Sequence, residues 1–196
     1  MLDILGRGLC VLTHWPLRKA RLVFYNLRAF AWHRAAPWST VIHGRLGFAH
    51  LPCRVELGRG CSLGRDVFLS TGREALIAIG DDVTLNTGCL VVASERIRIG
   101  RNTAIGEYVS IRDQAHNFAP GHGVRGQGFK VAPVEIGDNV WIGRGVFIGP
   151  GTRIGADTIV AANSVVHGEF PPGVLLAGAP AKVKRRLTGP ELAAAE

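Results

Sequence analysis

Aliphatic residues recur every six positions at Ile136, Ile142, Ile148, Ile154, Val160 and Val166. Glycine follows the first four, and the compact residues Val140, Val146, Thr152, Thr158 and Ser164 each stand four places after an aliphatic. An α-helix repeats at 3.6 residues and a strand at 2, so neither produces this beat. It predicts a parallel β-solenoid in which each six residues build one edge of a coil.

The beat extends upstream. It starts near Leu51, is clear at Leu57, Leu63 and Leu69, and resumes after four extra residues at Ile79, Leu85 and Val91. Two further residues precede Ile99, Ile105 and Ile111, and a long interruption then occupies residues 112–133. Grouped in threes, these edges predict about five triangular coils, roughly 24 Å tall at about 4.8 Å per stacked strand. Arg73 and Glu95 break the small-residue rule where the two short insertions leave the prism. The long loop carries Gly121, Gly123, Gly126 and Gly128. A loop of this length inside a solenoid points to function.

Residues 1–40 lack the beat and form an N-terminal helical segment. From Pro16, a favourable first helical residue, the residues Ala20, Val23, Phe24, Leu27, Phe30 and Ala31 make an apolar stripe flanked by Arg18, Lys19, Arg21 and Arg28. One reading packs this stripe on the prism or a neighbouring subunit. The other is a peripheral membrane contact through residues 16–34. The solenoid domain spans 41–170. Residues 171–196 form a basic tail, with Lys182, Lys184, Arg185 and Arg186, and a short terminal helix opening at Pro190.

Charged residues make up only 19% of the chain, which suits a turn-rich solenoid, and the formal charge of +8 predicts an anionic partner. The aromatics cluster near the N-terminus instead of interleaving with basic residues, which argues against nucleic acid. Cys10, Cys53, Cys61 and Cys89 have neither zinc-site nor disulfide spacing, and Cys61 and Cys89 occupy small-residue positions of the repeat. Asp3 and Arg7 interrupt the first apolar run, and no run is long enough to span a bilayer. The expectation is a cytoplasmic protein, at the inner face of the membrane if the helix touches lipid.

Three stretches together resemble the left-handed β-helix (hexapeptide-repeat) acyltransferases. They are Ile136-Gly137-Asp138-Asn139-Val140-Trp141-Ile142-Gly143, Ala177-Gly178-Ala179-Pro180-Ala181-Lys182-Val183, and His116-Asn117-Phe118 at the start of the long loop. The likeness covers roughly residues 51–187. It is nearest to the galactoside and maltose acetyltransferases and the O-acetyltransferases of bacterial surface-polysaccharide pathways. The resemblance implies left-handed coils, acetyl-CoA as acyl donor, a saccharide acceptor, no metal, and a homotrimer with the cofactor between subunits. By the same resemblance His116 is the catalytic base and Asn86 places the acceptor hydroxyl. Trp141, Gly143 and Arg144 line the coenzyme arm and acetyl site. Ala162 and His167 lie further along that groove, and Lys182 and Arg185 stand near the nucleotide phosphates. His167-Gly168 replaces the Thr-Lys common in sugar acetyltransferases, and Ala93 and Ser94 stand where acidic acceptor-binding residues are expected.

The chemistry is direct acyl transfer. A base within hydrogen-bond reach takes the hydroxyl proton as the oxygen attacks the thioester, typically worth 10²–10⁴ in rate. Histidine ordinarily titrates near the operating pH and suits this task. A backbone N–H at Gly143–Arg144 is the candidate oxyanion donor. Asp113, Glu107 or a loop carbonyl are the candidates to orient His116. His14, His33, His43 and His50 read as structural or solvated, and His122 as an ordinary loop residue. Three alternatives share the fold: an acetyltransferase of antibiotics or other small molecules, a zinc enzyme like the γ-class carbonic anhydrases, and a non-catalytic scaffold.

Overall fold

A computed structural model describes residues 16–28, 34–49, 51, 53–123 and 125–188. Phe30, Ala31, His14, His33, His50, Cys10 and the terminal helix expected from Pro190 lie outside these residues. Three parallel sheets form the faces of a triangular prism. The first face begins with Val41–Ile42, the second with Leu46–Phe48 and the third with Val55–Leu57, and the chain visits them in that order in every coil. Six full coils result, closed by the strand Val174–Gly178. The solenoid thus starts one coil earlier than Leu51, and the count is six instead of five. Nine positions separate Phe48 from Leu57 instead of six, which hides the beat of that first coil.

The aliphatic column explains the register. Ile42, Leu63, Leu85, Ile105, Ile142, Val160 and Leu176 pair in succession across the first face, and each is buried. Burying one such side chain contributes about 1.5–3 kcal/mol. Each coil then turns where Asp, Asn or Gly takes the left-handed backbone, as at Asp82, Asn102, Asn139 and Asp157. Buried hydroxyls and thiols at the small position bond the turn carbonyls, as Thr103 Oγ1 does to Gly137 O at 3.2 Å. Burial pushes the thiols of Cys53 and Cys61 up, and that of Cys89 to about 11. These cysteines are packing residues and poor nucleophiles.

All three insertions leave the prism at one corner, between the second and third faces. Asp113, fully buried at the root of the long loop, ties this corner together. Its carboxylate accepts the backbone N–H groups of Ser94 at 2.7 Å, Glu95 at 2.7 Å and Arg96 at 2.9 Å, all in the preceding insertion. Replacing Asp113 by alanine removes three hydrogen bonds to a charged acceptor, each contributing about 1.5–3 kcal/mol. We expect a loss of at least about 3 kcal/mol in denaturant unfolding, and Asp113→Asn to recover part of it.

The two ends are closed differently. A helix, α1 (residues 16–28), lies over the first coil and buries Leu22 and Tyr25. Tyr25 Oη accepts the Leu46 N–H at 2.8 Å, and Asn26 bonds both the N–H and the carbonyl of Ala36 at 2.7 and 3.1 Å. The predicted stripe is not what packs: Ala20, Val23, Phe24 and Leu27 are exposed, with Leu17. Two large side chains suffice on so narrow an end, and the wider stripe is left outward. No described helix is long and apolar enough to cross a membrane. At the far end the basic tail is not a free appendage. Ala181–Arg186 folds back antiparallel on Val174–Gly178 and extends the first face.

Candidate functional site

The long loop is a stiff arm. Gln114–His116 pairs antiparallel with Phe129–Val131, setting His116 opposite Phe129 with ring centroids 4.3 Å apart. Asn117 crosses the arm, donating its N–H to Gly128 O at 3.1 Å and its Nδ2 to Gln127 O at 3.0 Å. Gln127 Oε1 accepts the Ala119 N–H at 2.7 Å. His116 is exposed, and its ring makes no hydrogen bond among the described residues. Asp113, a candidate to orient it, is spent on the backbone of residues 94–96. Glu107, the other acidic candidate, sits at the corner between the first and second faces, away from this arm within one chain.

Most of the remaining candidates share that first corner and the adjoining first face. Asn86 follows Leu85, Gly143 follows Ile142, and Ala161-Ala162 follow Val160, so they climb the corner coil by coil. A Cβ on Gly143 would lie 2.6 Å from Ala162 N, which explains the glycine. Trp141 is exposed on the outer side of the first face. It begins a ladder that runs Trp141, Ile159, Leu175 and Arg185. The register shift between Leu175 and Leu176 leaves Lys184 without a partner, so Lys182, opposite Ala177, falls on the same side as Arg185. The residues expected along the coenzyme are brought together here, with one exception.

That exception is His167. It follows Val166 at the second corner, on the same prism edge as His116, and not on the groove of Ala162. Its ring fills the space above Gly149, where a Cβ would come within 1.9 Å of His167 Cε1, and it packs 5.6 Å from the Phe147 ring. The two corners are separated by a six-residue edge, roughly 15–20 Å when extended. A single chain therefore does not unite His116 with Asn86 or Arg144.

Backbone hydrogen bonds narrow the oxyanion donor. Gly143 N–H is spent on Val160 O at 2.8 Å and Gly145 N–H on Glu107 O at 2.8 Å. Arg144 N–H, between them, has no acceptor among the described residues, so it is the available donor of the pair Gly143–Arg144.

Tyr108 escaped the sequence reading. Its φ is 57°, in the column where the other coils place Asp66, Gly88, Gly145 and Asn163. A bulky side chain there costs on the order of 1–3 kcal/mol. The exposed ring lies over Gly88, whose Cβ would meet Tyr108 Cδ1 at 2.5 Å, between the levels of Asn86 and Arg144. The only sequence signal is an aromatic where the corner asks for Asn, Asp or Gly. We expect Tyr108→Asn to raise unfolding free energy by about 1 kcal/mol and to lower kcat/KM. An unchanged denaturant midpoint would remove the strain argument.

A hollow of about 430 Å³ adjoins Trp141, with Asp157, Ile159 and Leu187 in its lining, and two others open on the prism surface. One of about 400 Å³ adjoins Asn86 and is lined by Arg18, Arg21, His43, Ser62 and Arg65. The larger, about 560 Å³, lies along the third face, where Glu56, Asp81 and Asp138 alternate with arginines, and it contains none of the predicted site residues. Among the described residues no group of three His, Cys, Asp or Glu side chains is placed to hold a metal ion.

Comparison with known proteins agrees with this architecture. Residues 133–168 match the family model "Bacterial transferase hexapeptide (six repeats)". The chain is 39% identical over 109 residues to Nodulation protein L of Rhizobium meliloti, covering 55% of this chain and 58% of that protein. The chain thus spans a little more than half the length of that relative. Among solved structures it is similar to a hexapeptide-repeat acetyltransferase of Vibrio cholerae complexed with acetyl coenzyme A. That match has 28% identity and a TM-score of 0.54, covering 77% of this chain and 72% of that one. It is also similar to a maltose O-acetyltransferase from Clostridium difficile, at 26% identity and a TM-score of 0.50, over 76% and 67% of the two chains. The repeat at residues 133–168 is therefore the hexapeptide repeat of bacterial transferases, which implies left-handed coils, and the chain bearing it is similar to acetyltransferases that share the fold.

Proposed function

We propose that this protein is an O-acetyltransferase that moves the acetyl group of acetyl-CoA to a hydroxyl of a saccharide acceptor, in the assembly of a surface polysaccharide or related glycan. The observation that carries the reading is the division of the candidate residues between two prism corners. His116 and His167 occupy one, and Asn86, Arg144, Ala162 and the Lys182–Arg185 strand the other. Such a division makes sense when the corner of one chain meets the complementary corner of its neighbour in a closed threefold ring, giving three equivalent sites.

In that cleft the coenzyme lies along the first corner, its arm beside Trp141 and its phosphates toward Lys182 and Arg185. His116 of the adjacent chain takes the proton of the acceptor hydroxyl at Nε2, while Asn86 holds that hydroxyl in place. The oxygen attacks the thioester carbonyl, forming the new C–O bond, and the negative charge on the carbonyl oxygen is met by the Arg144 N–H. Collapse of this intermediate breaks the C–S bond, and the imidazolium returns its proton to the departing thiolate. With the described cysteines buried and their thiols raised, an acyl-cysteine route has no nucleophile among them.

The test is release of free coenzyme A thiol from acetyl-CoA across a panel of mono- and oligosaccharides, with product mass rising by one acetyl group. Hydrolysis of acetyl-CoA at a rate indifferent to every acceptor, antibiotics included, would count against transfer.

A further inference from the structure

We propose that the 400 Å³ hollow beside Asn86 receives a phosphoryl group of the acceptor, so that the saccharide acetylated here arrives as a phosphate or diphosphate ester. This rests on the reading of Asn86 as the residue that places the acceptor. Three arginines, Arg18 and Arg21 from α1 and Arg65 from the second coil, line the hollow with His43, and no carboxylate does. None of the three arginines forms an ion pair with a carboxylate among the described residues. Arg54, Arg96, Arg101 and Arg153 on the third face and its corner are paired. The hollow there mixes its arginines with Glu56, Asp81 and Asp138, whereas here three guanidiniums converge with no carboxylate in the lining. Arg21 Nη1 donates to His43 O at 2.7 Å, which fixes its guanidinium at the rim and leaves its other donors to the hollow.

The cluster is electrostatically uncompensated. Burial, followed by the charges of Arg18, Arg21 and Arg65, holds the His43 imidazole below its ordinary range. His43 Nε2 lies 3.0 Å from Ser62 Oγ, which places a hydroxyl and an imidazole on the floor of an otherwise cationic space. Guanidinium forks match phosphate oxygens in pairs, and several forks converging on one small volume suit a multiply charged group better than a single carboxylate.

Spacing supplies the link to the reaction. His43 stands two coils from Asn86 along the same corner, and Ser62 one coil away on the adjoining face, beside Thr84. At about 4.8 Å per coil, roughly 5–10 Å separate the hydroxyl site from the arginines. One pyranose ring spans that gap. The acceptor hydroxyl would sit at Asn86, with the coenzyme arm continuing from Arg144 in one direction and the phosphoryl group extending to Arg65 in the other.

Two measurements test this. In the thiol-release assay, glucose, glucuronate, glucose 1-phosphate, UDP-glucose and a short prenyl diphosphate-glucose are compared. We expect kcat/KM for at least one phosphate ester to exceed that for glucose by about 100-fold, in line with two charge-assisted hydrogen bonds. The preferred ester shows whether the phosphate is borne by a nucleotide, by a lipid or alone. In the Arg18→Gln/Arg65→Gln variant that ratio should fall to near one. Equal rates with glucose and all three esters, or an equal advantage for glucuronate, overturn the phosphate assignment while leaving acetyl transfer intact. Calorimetry with pyrophosphate reads the hollow without turnover. Binding weakened at least 10-fold in the double variant supports it even if no acceptor is acetylated, in which case the transferase reading fails alone. Binding that is absent, or unaffected by the variant, overturns it.

Discussion

Replacing His116 by alanine is expected to lower kcat/KM for acetyl transfer by 10²–10⁴-fold, the usual worth of a positioned general base. The side chain is exposed on the loop arm, and its one described contact is the Phe129 ring. The unfolding midpoint should therefore stay within the small range typical of surface substitutions, about 0.5 kcal/mol. This separation of activity from stability is what identifies chemistry at His116. The arm itself is held by Asn117 and Gln127 across its two strands, so its geometry does not rely on the imidazole. Retention of activity within a few-fold of wild type would remove His116 as the base.

A second large effect is expected from mixing two inactive chains. When His116→Ala and Asn86→Ala proteins are unfolded and refolded together in equal amounts, about a quarter of the sites in random trimers combine an intact His116 with an intact Asn86 from different chains. Activity should then rise to about a quarter of wild type, whereas each variant refolded alone stays near its own low level. The argument is topological. Asn86 closes a strand of the first face and His116 extends one of the second, so the width of a face separates them in any one chain. If both residues of a site came from one chain, no mixture could assemble an intact pair. A mixture no more active than its components would place the site within a single chain.

How much of this was legible beforehand depends on the range of the interactions. Ile136 to Val166 displays its period openly because every edge there has six residues, and the paired columns follow from that count. The first coil did not show, since the step from Phe48 to Leu57 is stretched. The stripe Ala20–Phe24–Leu27 was a correct sign of an amphipathic helix, yet Leu22 and Tyr25 form the contact. Periodicity locates an apolar face without saying what covers it. Asp113 looked available to His116 because sequence proximity hides its real partners, which lie one coil earlier at residues 94–96. His167 and Ala162 are five residues apart in the chain and stand on different edges of the prism for the same reason. Tyr108 carries no motif, and its one sign in the sequence, an aromatic in a column of Asp, Gly and Asn, gains meaning through its backbone angle.

A ladder of identical coils has no intrinsic stopping point, because each exposed edge offers the hydrogen-bond template that the next coil would use. Here Tyr25 occupies an edge amide of the opening coil, and the reversed strand Ala181–Arg186 covers the first-face edge of the closing one with opposite polarity and a run of positive charge. The stacking is thereby interrupted by flanking elements and not by the repeat itself. A chain shorn of α1 and of its reversed strand would become a monomer unit for fibre growth, joining copy to copy along the prism axis.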